Sequence, residues 1–173
     1  MNRMRKVLIA DDEVKVGQLV KRLIQWDRLG LTCIGLVTDG QTAYEKILSE
    51  SPDIVITDIR MPVLTGLEMI QKASEQGVKC HFIVVSGYKY FDYAQKALKY
   101  GVEDYLLKPI DEDELNRQLQ KIVAEEEQRE DKQQQVDQIE KKLEDSKYLR
   151  HKEFLRQILS QKQENIDAAN TEF

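Results

Sequence analysis

The sequence predicts an α/β fold: an open, doubly wound sheet of five parallel strands with helices between them. Short apolar runs alternate with amphipathic stretches through the first ~110 residues, the pattern of strand–helix–strand units. The runs are apolar throughout rather than at every second residue, as suits strands covered on both faces. Gly30, Gly40, Gly77 and Gly101 fall where turns and helix ends are expected.

The first strand is "KVLIA" (6–10), followed by a helix whose apolar positions are Leu19, Leu23 and Trp26. "CIGLV" (33–37) is the second strand, and Ala43, Ile47 and Leu48 mark the helix after it. "DIVIT" (53–57) leads to a helix carrying Leu67, Ile70 and Ala73. "HFIVV" (81–85) leads to one in which Phe91, Ala94, Ala97 and Leu98 form a buried face. "EDYLL" (103–107) completes the set, and Leu115, Leu119 and Ile122 make the stripe of a last domain helix. The domain therefore spans 1–123. Residues 124–173 form a helical linker leading to an output domain outside this chain. From Asp111 onward there is neither Gly nor Pro, and Glu, Gln, Lys and Leu dominate. A continuous helix over 111–145, roughly 50 Å long at ~1.5 Å per residue, is expected. "EEEQREDKQQQ" (125–135) has nothing apolar to bury, whereas Val136, Ile139 and Leu143 restart a stripe at coiled-coil spacing. Tyr148, Leu155 and Leu159 suggest another. So polar a helix needs a partner, and the narrow seam fits a second copy of itself, predicting a homodimer.

Of the 173 residues, 41% are hydrophobic and 33% charged, with a net charge of −5. That balance supplies a core but no global attraction to nucleic acid or anionic lipid. Cys33 and Cys80 match no disulfide or zinc spacing and read as buried, reduced thiols. The apolar stretch after the basic N-terminus stops at Asp11-Asp12, too short for a signal segment, and no run approaches spanning length. The expectation is a cytoplasmic protein.

In an open α/β sheet, ligands bind beyond the carboxyl ends of the strands. The first strand ends in Asp11-Asp12, the third in Asp58, the fourth in Ser86-Gly87 and the fifth in Leu107-Lys108-Pro109. Three carboxylates, one hydroxyl and one lysine thus converge on one edge. Carboxylates crowded together repel, and a divalent cation relieves them; hard oxygen ligands with places left for water and phosphate suit Mg²⁺. A lysine can pair first with a carboxylate and then with a phosphoryl oxygen. Phosphoryl transfer asks for little beyond positioning and charge neutralisation, and Asp58 supplies the carboxylate nucleophile. Any one of these acids alone would read better as a cap or turn residue; five features at the right strand ends favour the functional reading.

"VLIADDE", "PDIVITDIRMP", "VVSGY" and "DYLLKPID" together resemble, in order, the four signature regions of the receiver domain of two-component response regulators, over about residues 4–123. The resemblance implies a flavodoxin-like (βα)5 sheet of order 2-1-3-4-5. It implies that Asp58 takes a phosphoryl group from a phosphohistidine on a sensor histidine kinase. Asp12, Asp58 and the backbone carbonyl of Arg60 would bind Mg²⁺ directly, and Asp11 through water. Lys108 would pair with the phosphoryl group, Ser86 would reorient towards it, and Tyr105 matches the family's switch aromatic. The Lys108–Pro109 peptide would be cis. Arg60 sits where side chains tune access of water to the phosphoryl group. "SGYKYFDYAQKALKYGVEDYLLKPIDEDEL" and "DIVITDIRMPVLTGLEMI" are similar to the subgroup whose receivers precede an AraC-type helix-turn-helix DNA-binding domain. No helix-turn-helix follows residue 123, so the chain reads as the amino-terminal part of a longer protein that reaches DNA only through the missing domain. The alternative is a stand-alone receiver acting by protein–protein interaction.

Other functions fit less well. A dehalogenase-type enzyme would carry a second Asp two residues after the nucleophile, where Arg60 stands. A nucleotide-binding sheet would need a glycine-rich loop after the first strand, where "ADDEVKVG" offers acids instead. An inert receiver scaffold is disfavoured by the complete acidic set. The aromatics and lysines of "GYKYFDYAQKALKY" read as a helix face and a protein-binding border rather than a base-stacking surface. His81 reads as strand packing and His151 as a solvated helix residue.

Overall fold

Five parallel strands, β1 (Arg5–Ala10), β2 (Leu31–Val37), β3 (Ile54–Thr57), β4 (His81–Ser86) and β5 (Val102–Leu107), lie in the order β2-β1-β3-β4-β5. The coordinates are a computed structural model. They describe residues 3–87, 95, 98–100 and 102–170, without the side chains of 103, 104 and 161–170. The strand order is the flavodoxin-like one, with its switch point between β1 and β3. The described helices are α1 (Val14–Leu23), α2 (Trp26–Leu29), α3 (Gly40–Glu50), α4 (Gly66–Glu75) and α5 (Glu112–Asn170). The helix expected around Ala94 and Ala97 lies outside the described residues.

The central strands are apolar on both faces over Val7–Ala10, Ile54–Ile56 and Phe82–Val85 because each face of the sheet has its own core. Leu8, Ala10, Val55, Phe82 and Val84 point to one side, where Ala43 and Ile47 of α3 and Met69, Ile70 and Ala73 of α4 cover them. Val7, Ile9, Ile54, Ile56, Ile83 and Val85 point to the other, against Val20 of α1, Leu29 of α2 and Leu115, Leu119 and Ile122 of α5. The period of two along each strand therefore sorts residues between two buried layers.

Helix starts follow local chemistry. Asp39 caps α3, accepting the Thr42 N–H at 2.7 Å. Thr65 and Glu68 form a reciprocal capping box on α4. Asp111 accepts the Glu114 N–H at 2.8 Å at the head of α5. Three helical faces differ from expectation. The core side of the first helix is Val20 and Ile24, with Leu19 42% exposed. Gly17 lies against Leu36, so the helix approaches the sheet along Gly17–Val20–Ile24 instead. Trp26 belongs to the separate short helix α2, which ends at Gly30 with φ of 63°. Leu48 is exposed, and so is Leu98, at 71%. Leu48 lies one residue from the buried Ile47, a distinction of about 100° that single apolar residues do not encode.

Asn116 links α5 to the break between α1 and α2. Its Nδ2 donates to the Leu23 and Glu112 carbonyls, both at 2.8 Å, and its Oδ1 accepts the Gln25 N–H at 2.9 Å. α5 continues past the expected 145 to Asn170; no Gly or Pro interrupts it. The chain divides into two compact units, Met1–Ala124 and Glu125–Phe173. In the second, every described side chain from residue 128 to 160 is exposed apart from Ser146, which is half-buried. Among the described residues no helix is long and apolar enough to cross a membrane.

Candidate functional site

The carboxyl ends of β1, β3, β4 and β5 bring the strand-end residues together. The Lys108 Nζ, just past β5, donates to Asp11 Oδ2 at 3.1 Å and to Asp58 Oδ2 at 3.2 Å. One ammonium thus bridges two buried carboxylates that lie 47 residues apart in sequence. Backbone bonds hold the frame: Asp11 N–H to the Val37 carbonyl, Asp58 N–H to that of Ala10, and Lys108 N–H to that of Ser86. The second oxygen of each acid has its own donor. Asp11 Oδ1 accepts the Glu13 N–H at 2.9 Å, and Asp58 Oδ1 accepts the Ile59 N–H at 2.6 Å. Buried carboxylates held this way keep a fixed geometry, since an unpaired one would carry a large desolvation cost.

Burial is the largest influence on the Asp11 carboxyl and raises its pKa above the ordinary value, although the Glu13 N–H and Lys108 pull the other way. For Lys108, burial is again the largest single influence and favours the neutral amine. The bonds and charges of Asp11 and Asp58 together outweigh it, and the pKa lies above the ordinary lysine value. The directions for Asp11 and Lys108 agree with one picture: a cation held by acceptor bonds that outweigh its burial, beside an Asp11 whose burial outweighs the bonds it accepts.

Asp12 is exposed beside Asp11, and carboxylate oxygens of Asp11, Asp12 and Glu13 lie within 4.8 Å of one another. A cluster of hard oxygens, one buried and two open to water, is a fitting donor set for a small divalent cation. Glu13 was not among the residues singled out from the sequence; its place directly after the strand-end acids was the available signal. Asp58 joins the site through Lys108 rather than through that cluster. Arg60 is exposed in the loop after β3, Ser86 is fully buried at the end of β4, and Tyr105 is half-buried on β5 against the core that contains Phe82, Val84 and Val102. The Lys108–Pro109 peptide is cis.

The loop carrying Asp58 is clamped by two glycines whose role the sequence did not reveal. The Gly66 N–H donates to the Ile59 carbonyl at 2.8 Å, and a Cβ on Gly66 would lie 2.0 Å from the Asp58 carbonyl oxygen. A Cβ on Gly40 would lie 1.8 Å from the Leu64 carbonyl oxygen. Between them the Leu64 N–H donates to the Pro62 carbonyl, closing a turn on Val63 with φ of 68°. That is the rarer, strained hand of the γ-turn, unusual for a β-branched residue.

A doubly wound sheet with a lysine-bridged acidic pair at its switch point is a receiver-type architecture. The chain belongs to the response regulator receiver domain family, whose family model matches residues 7–120. It is 46% identical over 122 residues to the uncharacterized transcriptional regulatory protein YesN of Bacillus subtilis, covering 70% of this chain and 33% of that protein. It is 35% identical over 120 residues to the transcriptional regulatory protein HptR of Staphylococcus aureus, covering 69% of this chain and 47% of HptR. Among solved structures, the REC domain of AraT, a response regulator from Geobacillus stearothermophilus, is 36% identical with a TM-score of 0.69. That match covers 73% of this chain and 98% of the AraT domain. The chain spans a third to about half of the length of these curated relatives.

Proposed function

We propose that Asp58 is the phosphoryl acceptor of a receiver module switched by a sensor histidine kinase. The observation that carries this reading is the Lys108 ammonium held 3.1 Å from Asp11 and 3.2 Å from Asp58, with the second Asp58 oxygen on the Ile59 N–H. An Asp58 oxygen forms the new O–P bond as the N–P bond of a phosphohistidine breaks and the imidazole leaves. The backbone bonds to Ala10 and Ile59 pre-position that carboxylate, so little reorganisation accompanies attack. Lys108 is placed to exchange part of its pairing with Asp58 for a bond to a phosphoryl oxygen. Asp12, Asp58 and the Arg60 carbonyl would hold Mg²⁺, with Asp11 acting through water and Glu13 adjacent. When bound, the ion neutralises charge on the phosphoryl oxygens. The Ser86 hydroxyl gains a charge-assisted bond only in the modified state, and Tyr105 turns inward with it; that differential contact shifts the population of the β4–β5 surface.

The names of the relatives, transcriptional regulatory proteins, support a transcriptional output; its delivery in the cytoplasm through a DNA-binding domain of the AraC type, following the α5 extension, belongs to the same proposal. The α5 extension pairs with that of a second copy and carries the signal outward, phosphorylation biasing the pairing. Intact-mass measurement with a small phosphodonor and Mg²⁺ tests the chemistry. One phosphoryl group is expected on the wild type and none on Asp58→Asn or after chelation. A group retained by Asp58→Asn overturns the assignment.

A further inference from the structure

We propose that the exposed part of α5 pairs antiparallel with its copy, the acidic half of each helix lying on the basic half of the other; the orientation rests on the pairing read above. At 3.6 residues per turn, Val136, Ile139, Leu143, Phe154 and Ile158 fall within about 100° of one another around the helix. Leu143 and Phe154 are three turns apart, the spacing of an eleven-residue repeat, so the two apolar patches share one face of a nearly straight helix. All five are open, at 44% to 58% exposure. A helix this polar elsewhere is marginal in water without something on that face.

Charge selects the occupant and its direction. Residues 136–146 carry four carboxylates and two lysines, whereas residues 147–158 carry four lysines and arginines and one glutamate. A parallel pair would lay acid on acid and base on base along its whole length, which destabilises facing helices. An antiparallel pair centred near residue 147 lays each half on its opposite. It sets the Val136 end of one copy against the Ile158 end of the other. It also sets Arg150, which interrupts the apolar face, opposite Glu144 of the second copy. Lys147 lies at the crossing, where its long stem can carry the ammonium out to water. The interface is isologous and closes at two copies.

The whole chain, with Cys33→Ser and Cys80→Ala, serves as the background for two single-cysteine variants, Val136→Cys and Ile158→Cys. Sedimentation equilibrium of the wild-type chain is expected to show a dimer; a monomer overturns both the pairing and its orientation. With a short bismaleimide, an equimolar mixture of the variants is expected to give a cross-linked pair at least about fivefold above either variant alone. Cross-linking of Val136→Cys to itself, or a dimer that gives no mixed product, overturns the antiparallel orientation and leaves the pairing standing.

Discussion

Replacing Gly66 by alanine should loosen both the fold and the proposed phosphoacceptor, Asp58. Gly66 is the first residue of α4, where alanine is the better helix former by about 1 kcal/mol. Against that gain stands the added methyl, 2.0 Å from the Asp58 carbonyl oxygen and 3.1 Å from the Thr57 hydroxyl. Cβ contacts under 3.0 Å essentially never occur, so the loop or the helix must move by ~1 Å. Neither is free to move: the Gly66 N–H is bound to Ile59, the Asp58 N–H to Ala10, and the capping box fixes the start of α4. Overpacking of this kind costs about 1–3 kcal/mol, so the clash outweighs propensity and the net loss should be about 1–2 kcal/mol. The displaced atoms are the backbone of the proposed acceptor, and a misplacement of ~1 Å reduces a positioned reaction by about 10²-fold. Urea denaturation measures the first effect, and the rate of phosphoryl uptake by intact mass the second. Gly87→Ala, where nothing among the described residues lies within 4 Å of the added methyl, is the control. Wild-type stability together with a wild-type uptake rate in Gly66→Ala would refute the steric argument; lowered stability with an unchanged rate would refute its link to Asp58.

Three further perturbations test other parts of the frame. Asn116→Ala removes two hydrogen bonds between α5 and the α1–α2 break and a third to Glu112 within α5, leaves the Gln25 N–H and Leu23 carbonyl without that partner, and should cost about 2–4 kcal/mol in urea denaturation. Val63→Gly relieves a φ of 68° and should stabilise by about 1 kcal/mol; a loss would show that the turn is not strained. Asp39 and Glu68 have pKa values held below the ordinary 3.8 and 4.5, chiefly by the backbone N–H groups of Thr42 and Thr65. A depressed folded-state pKa gives stability that is present above the unfolded value and lost as pH falls through the folded one. The advantage of the wild type over Asp39→Asn with Glu68→Gln should therefore be full near ~pH 6 and disappear below the ordinary pKa values; a pH-independent difference would mean the ionised caps contribute nothing.

The sequence by itself determined the alternation of elements and which chemical groups stand at the strand ends. Both are local properties. Val7 to Ala10 and Ile54 to Ile56 are apolar at every position because both faces of the sheet are covered, and Asp11, Asp58 and Lys108 follow their strands directly. The tail's helicity was legible too, because nothing from 111 onward breaks a helix, although the helix extends to Asn170 rather than 145. Relations between residues remote in the chain arise only when the chain packs. Leu19 and Val20 are equally apolar, and only docking against Leu31 and α5 puts Val20 inside. Gly66 looks like any turn glycine until the Asp58 carbonyl arrives above it. Asn116 is an ordinary polar residue of a helix until Leu23 and Gln25 come within reach of its amide. Lys108 bridges Asp11 and Asp58 because parallel β1, β3 and β5 end on one edge, a placement set by crossover connections and not by spacing along the chain. Periodicity encodes which side of an element is apolar; which partner meets that side, and how closely, follows from packing the whole chain at once.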